Sequence, residues 1–562
     1  MHQDPQYTLT HVLRDMVAHL AQLIRLERGM LVIIGSYAVG IGSLFLCVPI
    51  AVQELVSTFS FSMEARMVFT LAGAVFVALL GVAYLRERQA RAVETLQQRV
   101  YTRIAVAFTE VLPALADERS AGRHAHRFVE ADLMTRALVM MVADLFNVAV
   151  AGSVAAFMLM FASPAFLAFL AVLFLGYWGM LTFFGRGGFL ITLKMSQFNY
   201  QLVDWIRNVA DNAVHLRAVE SREHLVARTD ALLHPYIRVR QQRSDTLTGR
   251  QYKATAFWLA FGHAAMIATA GMLVVDRQIT VGQFAGAEIL VGNLLMHMDT
   301  LARRMVAVFF LFTSMRELAG VFAQPRVPTS GEQVTPLHEE RSGGLRVTCH
   351  HAVVEDDAGA RPIDDFTCDI APGEKVVVLT PNGASKAAMV RLLAGLTRPT
   401  SGLIRYNDVN LVEVSPRSMN RHRGLMLDSH PTLIHGTVQE NIALGRDGVG
   451  YAEVSWALQF VELEGEIDRL PLGIQTRTDA PDVALSRSQI LRILLARAIV
   501  TRPPLLIFDG TLHSLWPGTR DVLLRRLCAK DEPWTVLFVS NDPSVRTFVD
   551  RQITLAPTSE RR

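Results

Sequence analysis

The chain of 562 residues has few charged side chains and almost no net charge. Asp, Glu, Lys and Arg make up 19% of it, and 55 basic against 52 acidic residues leave a formal net charge of +3. Proteins that bind nucleic acid concentrate positive charge, so this balance argues against nucleic acid as a partner. Hydrophobic residues reach 51% and the mean hydropathy is +0.28, which excludes a disordered chain and is unusual for a soluble enzyme.

Cysteine is also scarce. The four cysteines are far apart in the sequence and form no CxxC pair or Cys/His cluster. A disulfide-stapled domain and a zinc site each need such clusters, so neither is predicted, and no metal-ligand set is expected. The four positions are Cys47, Cys349, Cys368 and Cys528.

Charge is absent altogether from four long segments in the first half of the chain. Residues 30–53, 67–85, 145–185 and 254–275 contain no Asp, Glu, Lys or Arg, and residues 282–305 form a less pure apolar segment. About 20 apolar residues suffice to cross a bilayer as a helix, and the third segment is long enough for two crossings if it turns near Pro164. The sequence therefore predicts an α-helical membrane domain of six spans over residues 29–322.

Basic residues lie on one side of these predicted spans. Arginines cluster between spans two and three, from Arg86 to Arg127, and the 186–253 stretch is similarly basic, while the other loops have almost none. Because basic loops stay in the cytoplasm, both chain termini are expected there. Residues 1–28 have helical apolar spacing and too many charges for a signal peptide, which favours an interfacial helix on membrane lipid; a soluble helix is the alternative.

After a Pro/Ser/Gly-rich linker at residues 323–344, the remaining residues 345–562 have a different pattern. A β-branched run at 375–380 enters a turn of small residues and then a helical pattern, which is the setting of a phosphate-binding loop. Measured against GxxxxGK[ST], only Lys386 is retained, because Thr380 and Ser385 replace the glycines and Ala387 replaces the hydroxyl residue. A later apolar run at 504–508 precedes Asp509, as in a strand that brings an acid to Mg²⁺.

The order of these elements resembles a half-transporter of the ABC exporter superfamily. In the membrane part, VPIAVQELVSTFSF at 48–61 and ITVGQFAGAEILV at 279–291 are similar to exporters of the type I secretion and bacteriocin kind. In the second part, LAGLTRPTSG at 393–402, PTLIHGTVQENI at 431–442 and LSRSQ at 485–489 follow in family order. The resemblance implies an α/β P-loop NTPase-like ABC domain after the six spans.

Where the family has its catalytic groups, this chain has other residues. The Q-loop position holds Ser429, the position of the catalytic Glu holds Gly510, and the switch histidine is replaced by Asn541. The resemblance thus implies that no residue of the chain's own site catalyses hydrolysis, and that ATP binds there weakly or not at all. Mg²⁺ is expected only at a partner's site. The candidate nucleotide-binding residues are Asn382, Gly383, Ser385, Lys386, Asp509, Ser486 and Gln489.

Three functions are compatible with this pattern. The favoured one is the catalytically impaired half of a heterodimeric exporter, in which a second ABC half-transporter hydrolyses ATP and an unknown cargo is exported. The second is a pseudo-transporter that acts as a membrane scaffold or regulator without turnover. The third and least favoured is an active homodimeric ATPase. In each case the chain is expected in a bacterial inner membrane.

Two acids on the sixth span, Glu288 and Asp299, lie 11 positions apart and therefore near one helix face. Acids inside a membrane are candidates for function, so they predict a cavity that favours cationic substrate groups. The alternative is that Glu288 pairs with another helix and Asp299 with nearby Arg303. His263 on the fifth span is expected to be a packing histidine rather than a proton relay.

Overall fold

The computed structural model describes residues 25–58, 65–115, 124–185, 187–219, 222–324, 343–356, 359–414, 416–427 and 432–556. The chain divides into two compact units, Met1–Pro325 and Arg326–Arg562. Most of the expected interfacial helix at 1–28 and of the linker at 323–344 lies outside the described residues, as does Ser429.

The first unit consists of helices throughout its described residues. Six of them are long and apolar enough to cross a membrane, which confirms the predicted membrane domain of six spans. The third uncharged run breaks as predicted, since α4 ends at Ala162 and α5 starts at Ala165, after Pro164. The helices are α1 (Arg28–Phe45), α2 (Cys47–Thr58), α3 (Ala65–Val111), α4 (Val129–Ala162), α5 (Ala165–Phe184), α6 (Gly188–Asp211), α7 (Ala213–Val219), α8 (Arg222–Arg243), α9 (Tyr252–Val275), α10 (Val281–Arg303) and α11 (Met305–Phe322), with a π-helical segment at Ser244–Gln251.

Several of these helices exceed the thickness of a bilayer. At 1.5 Å per residue, the 47 residues of α3 extend for about 70 Å, whereas the hydrocarbon core is about 30 Å thick. The sixth span begins at α10 with a capping box, in which the Thr280 hydroxyl accepts from the Gln283 amide and the Gln283 side chain accepts from the Thr280 amide. The buried core of this unit includes Leu173, Leu294 and Met298.

The second unit contains two sheets and several helices. An antiparallel sheet has the strand order β2-β1-β4-β5, and a parallel sheet has the order β6-β7-β8-β3-β9. The elements are β1 (Val347–Val354), β2 (Ile363–Ile370), β3 (Lys375–Leu379), α12 (Gly383–Leu393), β4 (Ser401–Tyr406), β5 (Val409–Asn410), α13 (Pro416–His422), β6 (Arg423–Met426), α14 (Val438–Ala443), α15 (Tyr451–Phe460), α16 (Glu464–Ile467), α17 (Arg487–Ile499), β7 (Leu505–Phe508), α18 (Pro517–Leu527), β8 (Thr535–Val539), α19 (Pro543–Arg546) and β9 (Arg551–Thr554).

The parallel sheet brings the residues of the candidate site together. Its central strands β3, β7 and β8 are almost wholly buried, which explains their continuous apolar runs. Because these strands are parallel and adjacent, their carboxyl ends meet at one edge of the sheet. Residues that directly follow the three strands, Thr380, Asp509 and Ser540, are therefore neighbours, and ligands of open α/β sheets bind at such edges.

Candidate nucleotide site

The turn between β3 and α12 forms the predicted phosphate loop. Asn382 is the N-cap of α12, and its side-chain oxygen accepts from the Ser385 amide at 2.8 Å. Residues 381–384 are exposed, so the amino end of a helix faces solvent, an arrangement that suits a phosphate. The Thr380 and Ser385 side chains, which replace glycines of the motif, are buried instead of lining the turn.

Lys386 and Asp509 form an ion pair with each other. The Lys386 Nζ lies 3.0 Å from the Asp509 Oδ1, and the two side chains are only 28% and 11% exposed. In the motif these residues serve different partners, since the lysine binds phosphate and the acid serves Mg²⁺. Here the site neutralises its own charges, so a ligand has to compete with an internal ion pair.

Gly510 lies where the family resemblance predicts the catalytic glutamate. Its φ of 61° lies in the left-handed region, and a Cβ there would be 3.1 Å from Lys386 Nζ and 3.4 Å from the Ser540 hydroxyl. Its carbonyl oxygen accepts a hydrogen bond from the His513 amide at 3.2 Å. The position therefore supplies no carboxylate, and a Cβ there would come close to the flexible end of the Lys386 side chain.

Asn541, at the switch-histidine position, is bonded to the start of the phosphate loop. Its Oδ1 accepts from the Thr380 amide at 3.1 Å, and its Nδ2 donates to the Thr380 carbonyl at 2.8 Å. The side chain thus ties β8 to the residue that follows β3. This reciprocal pair of bonds was not predicted from the sequence, and only the adjacency of β3 and β8 brings the two residues together.

The site fits a phosphate better than it fits a metal. The exposed amides of the turn suit an anion, but Ala387 has no hydroxyl and Asp509 is bound to Lys386. Mg²⁺ requires several oxygen ligands in near-octahedral geometry, and these side chains do not provide them. The side chains of this chain's own site therefore do not fit Mg²⁺.

The LSRSQ segment at 485–489, which resembles the family's signature motif and is called the signature segment, begins a helix with a capped amino end. Ser486 is the N-cap of α17, where its hydroxyl accepts from the Gln489 amide and the Gln489 side chain accepts from the Ser486 amide. Gln489 also donates to Glu466 at 2.9 Å, and Arg492 pairs with the same carboxylate at 2.8 Å. Ser486 and Arg487 are exposed, so the amino end of this 13-residue helix is open to a partner.

A polar cluster precedes the LSRSQ segment at 485–489. Arg477 donates to Asp479 at 2.9 Å and His435 lies 3.2 Å from it; these contacts lower the pKa of Asp479 to about 2, so it is ionised at neutral pH. Trp516, which follows Gly510 by six residues, is the N-cap of α18 and is 77% exposed.

In the membrane unit, each of the two acids of the sixth span is paired with a neighbour. Glu288 Oε1 lies 2.8 Å from the Nδ1 of His263 on α9, and Asp299 forms an ion pair with Arg303 one turn along α10. Neither lines either of the two cavities described in this unit. The cavity for cationic groups stays a prediction, and these two pairings are the ones that its alternative named.

One cavity of this unit has a volume of about 320 Å³, and polar residues form part of its lining. Arg86 and Asp144 marked the limits of uncharged runs, but both line the cavity, together with Asn147 and His297. Asp144 pairs with Arg304 at 2.6 Å. Charges at the ends of apolar runs were the available signal for this site.

Comparisons with known proteins agree with the fold. Residues 363–513 match the family model described as ABC transporter. A structure of a bacterial Atm1-family ABC exporter with ATP bound superimposes with a TM-score of 0.81 over 97% of this chain and 96% of that chain, at 19% identity. The chain therefore has the fold of an ABC exporter, with six candidate spans followed by an ABC transporter domain.

Curated relatives are similar over about half of the chain. They include a fatty acid ABC transporter ATP-binding/permease protein of Mycobacterium bovis, 30% identical over 50% of this chain and 43% of the relative. An ATP-dependent lipid A-core flippase of Burkholderia thailandensis is 30% identical over 46% and 43%. The mesentericin-Y105 transport/processing protein MesD of Leuconostoc mesenteroides is 25% identical over 50% and 38%. The match thus spans less than half of each relative, and the predicted resemblance to ABC exporters is confirmed.

Proposed function

We propose that this chain is the catalytically impaired half of a heterodimeric ABC exporter, in which a second half-transporter supplies ATP hydrolysis. The observation that carries the proposal is the state of the chain's own site: Lys386 is paired with Asp509, beside a glycine where the catalytic glutamate belongs. General-base chemistry on water needs a group within hydrogen-bond reach, and Gly510 offers none.

The signature segment supports a working role beside a partner. Nucleotide sites of this superfamily form between two ABC domains, one supplying the phosphate loop and the other the signature. Ser486 retains its cap and its exposure at the amino end of α17, where the helix dipole favours a negatively charged group. A partner with an intact phosphate loop would therefore meet a usable signature helix.

The location of the chain in the membrane is a further part of this proposal. We propose that the chain lies in a bacterial inner membrane with both termini in the cytoplasm, because its basic segments lie on one side of the six spans. The relatives are named for a fatty acid, lipid A-core and mesentericin, so their names do not agree on a cargo that could be assigned to this chain.

The test is ATP hydrolysis by the chain purified together with the ABC half-transporter encoded beside it. Replacing the partner's phosphate-loop lysine by alanine is expected to abolish turnover, whereas Lys386→Ala changes it by less than about twofold, because the site of this chain is silent. Ser486→Asp keeps an N-cap but places a carboxylate where phosphate would bind, and is expected to reduce turnover by about a hundredfold.

Three results would contradict the proposal. Loss of turnover in the Lys386→Ala complex would show that this chain's site is catalytic. Turnover by the chain alone would indicate an active homodimer. Recovery of the chain without any ABC partner, and without turnover, would favour a scaffold or regulator.

A further inference from the structure

The cavity of the membrane unit is bounded by four of the candidate spans, α1, α3, α4 and α10. Its volume of about 320 Å³ falls in the range of small-molecule sites. A second cavity of about 540 Å³ adjoins it and shares Phe45, Arg86 and Asn293 with it. Together the two cavities form one chamber between these helices.

Polarity changes along the length of this chamber. On α4 the lining passes from Asp144 and Asn147 to Val150 and Val154 as the chain advances. On α10, which runs past α4, it passes from Leu290 to polar residues at 293, 297 and 300. One end of the chamber is therefore polar and the other apolar, a division that fits an amphipathic molecule with its head at the polar end.

Two contacts fix the polar residues at one level. Gln89 of α3 donates to the Asn147 Oδ1 on α4 at 3.2 Å, and Asp144 of α4 pairs with Arg304, directly after α10, at 2.6 Å. The polar positions of the three helices thus face each other across the chamber. The bond to Gln89 uses the Asn147 oxygen and leaves its NH₂ group as a donor.

The charges at this end do not cancel. Asp144 is neutralised by Arg304, whereas Arg86 lines both cavities and, within the part of the chain that the structure describes, has no carboxylate within 4.0 Å. A guanidinium presents several donors in a planar fork that matches carboxylate and phosphate oxygens. The polar end therefore carries one available cation and amide donors.

We propose that this chamber binds an amphipathic anion, with its carboxylate or phosphate head on Arg86 and its alkyl chain along the apolar walls formed by Ile41, Phe45 and Val154. The assignment rests on the proposed role as an exporter subunit and adds the substrate class. It has the opposite charge preference from the one predicted from Glu288 and Asp299, since both of those acids are paired outside the chamber.

The test uses the full chain in nanodiscs of zwitterionic lipid, without nucleotide and without a partner. The probe is dodecanoate with a terminal diazirine, and cross-linked peptides are mapped by mass spectrometry. Labelling is expected on the segments containing residues 41–45 and 150–154, and Arg86→Gln is expected to lower it about tenfold, as for loss of one charge-assisted contact. Arg86→Lys is expected to retain most of the labelling and shows that the fold tolerates a change at this position.

Arg88→Gln is the matched control. Arg88 lies on the same helix, is exposed, and donates to the Tyr84 hydroxyl at 3.1 Å without lining either cavity, so labelling should stay within about twofold. Octanoate and octyl phosphate should compete with the probe, and their relative strength separates a carboxylate from a phosphate head. Octyltrimethylammonium and octanol should not compete.

Equal labelling of the wild type and Arg86→Gln would overturn the proposal, and so would equal competition by octyltrimethylammonium. Because nucleotide and partner are absent, the result is independent of the ATPase test. If the chain labels as expected but the ATPase test fails, the anion site is supported and the heterodimer role is rejected. If the ATPase test succeeds but labelling fails, the heterodimer role is supported and the anion site is rejected.

Discussion

Gly510 has no carboxylate, and it also has a left-handed backbone conformation beside Lys386. A residue with a Cβ pays a conformational cost there and approaches the Lys386 ammonium. Asn541 likewise has a role of its own, since it bonds both backbone groups of Thr380. Two of the altered positions are therefore built into the loop structure, and a single restored side chain should not restore a catalytic site.

Restoring the glutamate provides a prediction at this scale. Gly510→Glu is expected to leave ATP turnover at background and to lower the free energy of unfolding by about 1–2 kcal/mol, because a non-glycine residue is strained at this φ. Gly510→Ala is the control for strain without a carboxylate. The measurements are phosphate release and thermal unfolding, and Mg²⁺-dependent turnover in the Glu variant above the Ala variant would refute the expectation.

At the scale of elements, the sequence identified the strand, turn and helix around the phosphate loop and the cap of α17 from local residue types. Local patterns could not predict which strands are neighbours in the sheet. The contact between Asn541 and Thr380 joins residues 161 positions apart, and it exists only because β3 lies beside β8. Side-chain pairing across a sheet depends on strand order, which periodicity does not encode.

Gly402, at the start of β4, provides a prediction on strand pairing. Its φ is 79°, and a Cβ would lie 2.1 Å from the His351 carbonyl oxygen of β1. Gly448 has the same φ of 79° but no atom within 4 Å of that position. Both alanine variants share the backbone strain, so Gly402→Ala should be less stable than Gly448→Ala by at least about 2 kcal/mol, through the clash alone.

Thermal unfolding followed by tryptophan fluorescence measures the difference in stability between the two variants. Trp534, which is buried in the core of the ABC domain, contributes to this signal. Equal melting temperatures of the two alanine variants would mean that β4 can move away from β1 without loss, contrary to this expectation.

At the scale of the whole molecule, the two units were predicted with different completeness. Runs without charge identified five of the candidate spans and a less pure apolar segment identified the sixth, because the bilayer imposes a length and a composition on any spanning helix. Helix rotation was not predicted, so the sequence did not show that Arg86 and Asn147 line a cavity while Glu288 and Asp299 are paired with neighbours. Both faces of a membrane helix are apolar, so hydropathy gives little information about which face is buried.

Membrane topology gives the prediction at this scale. In a chain whose four cysteines are replaced by alanine, Gln278→Cys, in the loop between α9 and α10, should react with an impermeant maleimide added to intact cells. Arg238→Cys, on α8, should react only after permeabilisation, because the basic segments are expected in the cytoplasm. Both positions are exposed, so access to the reagent differs only by side. The reverse pattern would place the ABC domain outside.

The sequence by itself determined the number of candidate spans, the setting of the phosphate loop between a strand and a helix, and the resemblance to ABC exporters, since each depends on local composition, spacing or motif order. Only the tertiary structure decided that Lys386 is bound by Asp509, that Asn541 holds the phosphate loop, and that Arg86 and Asp144 line one membrane cavity. The physical reason is the same in all three cases. Each depends on which distant residues face each other, and strand order and helix rotation determine that in the folded chain.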